Sequence, residues 1–83
     1  MVLEHSQTPE QVLGQYLRNL RLNRGWTLME LANKAGISDS FLSRVEYGKQ
    51  GISIKVLCKL ARAFSVSPCE ILTKSGYVEL SLY

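Results

Sequence analysis

Between Thr27 and Gly48 the chain twice starts and twice stops a helix, and no other stretch restricts the possible folds as tightly. Thr27-x-x-Glu30 is a capping box, in which a hydroxyl and a carboxylate each take a backbone N–H that the first helical turn leaves without a partner. Leu28, Leu31, Ala32 and Ala35 follow at helical spacing over residues 28–35, and Gly36 supplies the left-handed residue that turns the chain out. Ser38 caps a further helix over residues 39–47, with Phe41, Leu42 and Val45 on one side and Gly48 closing it. Two short helices joined by Gly36-Ile37-Ser38 make a helix-turn-helix if the crossing point is small and the turn residue tolerates positive φ. Ala32 and Gly36 meet both conditions, and Ile37, Leu42 and Val45 fill the angle between the helices.

Three more helices flank this pair. Thr8-Pro9-Glu10 provides a cap, a preset φ and an acid for a helix over residues 9–24, where Leu13, Tyr16, Leu17 and Leu20 share a face and Gly25 ends the run. Ser53 caps a helix over residues 54–64 with core positions Leu57, Leu60, Ala61 and Phe64. Ser67-Pro68-Cys69-Glu70 reads as another capping box with proline at the first helical position, opening a short fifth helix that carries Ile71 and Leu72. The expected fold class is therefore all-α, five helices with the helix-turn-helix formed by the second and third. Residues 1–8 read as a flexible amino-terminal end, 9–73 as one folded domain, and 74–83 as a tail whose residues Val78 to Tyr83 alternate apolar and polar.

At 83 residues only one small core can form. No apolar run approaches the roughly 20 residues of a membrane span, and the amino end lacks the basic stretch and apolar run of a secretory signal, so a cytoplasmic protein is expected. Cys58 and Cys69 match neither a disulfide framework nor a zinc-ligand spacing and read as small buried or half-buried apolar residues. A single histidine, a single aspartate and no glycine-rich phosphate loop leave no nucleophile, base and orienter to assemble, so no enzyme, metal or cofactor is expected. The net charge of +3 is small, but residues 18–62 hold nine of the ten bases and three of the seven acids. That concentration favours an anionic partner.

The helix over 39–47 has a second, polar side. Ser40, Ser43, Arg44 and Tyr47 recur at i, i+3, i+4 and i+7 as a stripe of hydroxyls, one guanidinium and one phenol. With Leu17-Arg18-x-Leu20-Arg21, the block from Thr27 to Gly36, Leu42-Ser43-Arg44-Val45-Glu46-x-Gly48-Lys49 and Leu57-x-x-Leu60-Ala61-x-Ala63-Phe64, the chain over residues 13–73 resembles the lambda-repressor-like (Cro, or xenobiotic-response-element) family of helix-turn-helix domains. The resemblance implies a five-helix domain that binds operator DNA as a dimer with its third helix in the major groove. It also implies that Glu46 pairs inside the domain with an arginine of the first helix, Arg18 or Arg21. The chain departs from the family at Leu28, where a glutamine often stands, and at Gly51-Ile52-Ser53, which often reads Asn-Pro-Ser; Ile52 there is a packing or partner contact.

The major groove admits one helix, and the stripe is the continuous polar face beside the basic region. Asp39, Ser40, Ser43 and Arg44 are the candidates for contact with base edges. Arg44 can donate two hydrogen bonds to guanine, against the alternative that it pairs with Glu46 or a phosphate. Asp39 reads as a helix-start acid favoured by the dipole, ahead of an acceptor for cytosine. Thr27 with the free amides at its helix start, and Tyr47, Lys49, Gln50, Ser53 and Lys55 around the following loop, are the phosphate candidates; Arg24, Lys34, Lys59 and Arg62 read as solvated charges. One short helix reads few base pairs, so a homodimer on a palindromic double-stranded operator is expected, with Ile71, Leu72, Tyr77, Val78, Leu80 and Leu82 as interface candidates. The competing reading is an interaction module, an adaptor, coactivator or antitoxin, that meets a protein partner through the tail.

Overall fold

A computed structural model describes residues 7–77. Among them are five helices and no strand: α1 (Pro9–Asn23), α2 (Leu28–Ala35), α3 (Asp39–Glu46), α4 (Ile54–Phe64) and α5 (Pro68–Ser75). α1 and α3 stop one residue before the expected ends because Arg24 and Tyr47 are their caps. The alternating residues Val78 to Tyr83 lie outside the described residues.

Each helix opens on a hydroxyl that accepts from the backbone three residues on: Thr8, Thr27, Ser38, Ser53 and Ser67. Two starts differ in detail from expectation. At α1 the box is completed by Gln11, whose amide oxygen accepts from the Thr8 N–H at 2.9 Å. At α5 the box is only half made: Glu70 N–H donates to Ser67 Oγ at 3.0 Å, but the Glu70 carboxylate faces Lys74 one turn on, at 3.3 Å. A single carboxylate turned toward that ammonium does not also reach back to the Ser67 amide.

The exits share one device. The N–H of Trp26, Ile37, Lys49 and Val66 reaches back to the carbonyl of Arg21, Ala32, Arg44 and Ala61, five residues earlier, and between them sits a left-handed residue: Gly25, Gly36, Gly48 and Ser65. Ser65, at φ 59°, is the one non-glycine in this conformation among the described residues. Ser65→Gly is therefore expected to stabilise the fold, by about 0.5 kcal/mol after the added freedom of the unfolded chain is set against the relieved strain. Urea unfolding of the two proteins checks the sign.

α1 packs on α3 and α5, α2 on α3 and α4, and α4 on α5. The core where they meet contains Leu13 and Leu17 of α1, Leu31, Ala32 and Ala35 of α2, Leu42 and Val45 of α3, Leu57, Leu60, Ala61 and Phe64 of α4, and Ile71 of α5. Ile37 packs against it from the turn between α2 and α3. The two cysteines do not join it. Cys58 and Cys69 are both exposed, because the core stripes of α4 and α5 run through Leu57, Leu60, Ala61 and Phe64, and through Ile71, and turn both thiols outward. No helix of the described residues is long and apolar enough to cross a membrane.

Candidate nucleic-acid interface

α3 is held from behind before it can present anything in front. At its carboxyl end Glu46 is buried, and its carboxylate receives Arg21 of α1 in a two-pronged pair, Nε to Oε2 at 2.7 Å and Nη2 to Oε1 at 3.0 Å. Arg21 Nη1 also donates to the Trp26 carbonyl at 2.8 Å, which ties the link between α1 and α2 to the same guanidinium. The hydrogen bonds to Glu46 raise the Arg21 pKa above its ordinary value against the opposing effect of burial. Of the two arginines that the family resemblance offered to Glu46, the structure selects Arg21.

Close contact supplies the second hold. Gly14 of α1 lies directly against the end of α3, where a β-carbon would run into the Val45 carbonyl oxygen and approach that of Glu46 to 2.9 Å. Gly48 faces Gln11 in the same way, with the Gln11 Cα 2.7 Å from where its β-carbon would stand. Neither contact is visible in helical periodicity. The only available signal was a glycine inside an otherwise strong helical pattern, which implies close approach of two backbones.

The outward side of α3 carries the predicted stripe. Asp39, Ser40 and Arg44 are exposed and Ser43 is half-exposed. Asp39 lies in the first turn, behind the Ser38 cap, whose Oγ accepts from Phe41 N–H at 3.1 Å. The Arg44–Glu46 alternative is overturned, since Arg21 occupies the Glu46 carboxylate. Arg44 instead extends over the Phe41 ring, 6.0 Å from its centroid, with its donors free among the described residues. Tyr47 follows at 68% exposed, and beyond Gly48 the chain continues through Lys49 and Gln50 into the loop, where Gln50 donates to the Gly51 carbonyl at 3.2 Å.

The two expected anion sites are unequal. At the start of α2, Thr27 N–H donates to Glu30 Oε1 at 2.7 Å and Glu30 N–H to Thr27 Oγ1 at 3.1 Å. Only the Leu28 and Met29 amides remain there, beside a carboxylate that opposes an anion. α4 is the one helix of the five with no acid in its first turn, and Lys55 stands there beside the Ser53 cap. The charge distribution at that end favours phosphate more strongly.

Two bases read as solvated are instead structured. Arg24 donates from Nη2 to the Phe64 carbonyl at 2.8 Å and lies 5.4 Å from the Trp26 ring, which stacks on Phe64 with centroids 5.4 Å apart. Lys34 sits 4.8 Å from the Trp26 centroid. These two cations brace the ends of α1, α2 and α4. Among the interface candidates, Ile71 is fully buried in the core, so it is unavailable to a partner, whereas Leu72 and Tyr77 are partly exposed. Val78, Leu80 and Leu82 lie outside the described residues.

Comparison with known proteins agrees with this geometry. The helix-turn-helix family model HTH_3 matches residues 17–71. The HTH-type transcriptional repressor RghR of Bacillus subtilis is 37% identical over 67 residues, covering 80% of this chain and 50% of its own length. The chain spans about half the length of the curated relatives it matches. Among solved structures, the restriction-modification controller protein C.AhdI of Aeromonas hydrophila superposes with a TM-score of 0.72 at 34% identity, over 75% of this chain and 94% of that one. The biofilm master regulator SinR, solved in complex with DNA, gives a TM-score of 0.68 at 38% identity, over 72% of this chain and 97% of that one.

Proposed function

Because the chain belongs to the lambda-repressor-like helix-turn-helix family, we propose that it is a sequence-specific double-stranded DNA-binding transcriptional regulator. It acts in the cytoplasm as a repressor, binding a palindromic operator as a homodimer with α3 in the major groove. The observation that carries this reading is the exposed polar side of α3 standing on a rigid back. Ser40, Ser43 and Arg44 face outward while Arg21, Glu46 and Gly14 fix the helix to α1. A helix that must match base edges cannot rock on its domain. The solved SinR–DNA complex supports the reading, since its protein shares this fold at 38% identity.

In this arrangement Arg44 donates to guanine O6 and N7, Ser40 and Ser43 contact neighbouring edges, and Asp39 serves the helix start. Ser53 and Lys55 at the start of α4, with Tyr47, Lys49 and Gln50, hold one phosphate strand; Thr27 and the two free amides of α2 hold the other more weakly. The exposed donors of Arg44 come prepared by the Phe41 ring beneath them.

Selection of bound duplexes from a random pool is expected to return a palindrome with half-sites about 34 Å apart. Affinity for it should fall with salt at a log-log slope of about −0.9 per phosphate contacted. Arg44→Ala is expected to lower operator affinity by roughly ten- to a hundredfold with its helical circular dichroism unchanged. Unchanged affinity would remove Arg44 from the readout. A pool that yields no enriched sequence, with only weak binding of shallow salt dependence, would favour the interaction-module reading instead.

A further inference from the structure

We propose that the half-exposed Trp26 ring, with Arg24 and Lys34 set over it, is a docking site for an acidic segment of a protein partner. Two cations converge on this one indole. The Lys34 ammonium lies 4.8 Å and the Arg24 guanidinium 5.4 Å from its centroid, so about 10 Å or less separates them. Both side chains are exposed, and among the described residues neither is in an ion pair. Lys34 has a carboxylate in the favoured place one turn back, Glu30 at i−4, but Glu30 turns away to accept from the Thr27 N–H at 2.7 Å. Phe64 fixes the arrangement, since its ring stacks on Trp26 and its carbonyl accepts from Arg24 Nη2 at 2.8 Å. The remaining donors of Arg24 and all three of Lys34 have no hydrogen-bond partner among the described residues.

Like charges held this close repel, and a carboxylate set between them relieves both at once. The indole decides the class of partner. Trp and Arg are the side chains enriched where a protein–protein interface concentrates its binding energy, Trp through its large rigid area and Arg through its two-pronged hold on carboxylates. A phosphate backbone asks for charge alone. The patch is also set apart from the phosphate-favouring start of α4. Trp26 stacks on Phe64, the last residue of α4, whereas Ser53 and Lys55 stand at its beginning, and its 11 residues put about 16 Å between the two ends. A partner seated on Trp26 leaves that end of α4 open to DNA, so the inference goes beyond the DNA reading without resting on it.

Trp26 is the sole tryptophan of the chain, so its fluorescence reports occupancy of the patch directly. The probe is a blocked oligoglutamate peptide, titrated into the whole chain at low salt. A saturable change in emission is expected, lost as salt rises. Lys34→Gln should weaken binding by about fivefold, the size of one exposed charge pair, while Lys34→Arg should retain it and Arg24→Gln with Lys34→Gln should abolish it. Arg62→Gln removes the same charge from the last turn of α4, but two residues before Phe64 and so on the other side of that helix, and should leave binding unchanged. Circular dichroism confirms that each variant is folded. An equal loss with Arg62→Gln overturns the assignment, because net charge alone would then attract the peptide. So does a peptide that leaves Trp26 emission unmoved. Duplex DNA that displaces the peptide would give the two cations to the phosphate backbone and overturn it as well. Failure of the DNA reading would appear differently, as no sequence enriched from a random pool with this titration intact.

Discussion

Glu46→Ala is expected to destabilise the domain by about 3–5 kcal/mol, because it leaves the Arg21 guanidinium inside the protein without a countercharge. The side chains of Arg21 and Glu46 are only 10% and 3% exposed, so water cannot replace the lost carboxylate without opening the contact between α1 and α3. A loss of that size removes most of the stability of so small a domain, whose total lies toward the lower end of about 5–15 kcal/mol. Urea unfolding followed by circular dichroism measures it directly. The paired change Arg21→Met with Glu46→Leu should recover much of the loss, since it removes both charges together and returns apolar volume. A Glu46→Ala loss below about 1 kcal/mol would mean that Arg21 rehydrates by rotation, and that the pair does not anchor α3.

Gly14→Ala should be the second large effect, and its sign is the informative part. At an ordinary interior helix position, glycine to alanine gains about 1 kcal/mol from the lower backbone entropy of the unfolded chain and better helix propensity. Here the added methyl meets the Val45 and Glu46 carbonyls, which are backbone atoms near the end of α3 and cannot turn aside as a side chain could. α1 and α3 must separate, so a loss of about 3 kcal/mol is expected. The displaced α3 should also bind DNA less tightly than the stability loss alone explains. A stabilised Gly14→Ala protein would show that the two helices have slack, and the rigid-back argument for α3 would fall with it.

Most of the secondary structure was legible because its causes are local. Thr27 with Glu30, Ser38, Ser53 and Ser67 mark helix starts through bonds that span three residues, and Gly25, Gly36 and Gly48 mark exits through a conformation that glycine adopts freely. Ser65 escaped notice for the same reason in reverse, since nothing about a serine announces a left-handed turn. The polar stripe of α3 was also legible, since Ser40, Ser43 and Arg44 follow from helical spacing once Phe41, Leu42 and Val45 are given to the other side. What spacing could not give was the partner of any side chain across two helices. Arg18 and Arg21 sit one turn apart, and only the rotation of α1 against α3 brings Arg21 to Glu46.

Five helices, their caps and turns and the polar side of α3 follow from neighbours within about one helical turn, and the basic middle follows from composition alone. Helix packing is what buries Ile71 and leaves Ile54 bare, turns Cys58 and Cys69 outward, and lays Arg24 and Lys34 over the Trp26 ring. It also decided that Gly14 is where α1 and α3 touch. Each of these depends on how one helix is rotated and set down on another. That choice is made by the whole core at once, so no local stretch of sequence contains it.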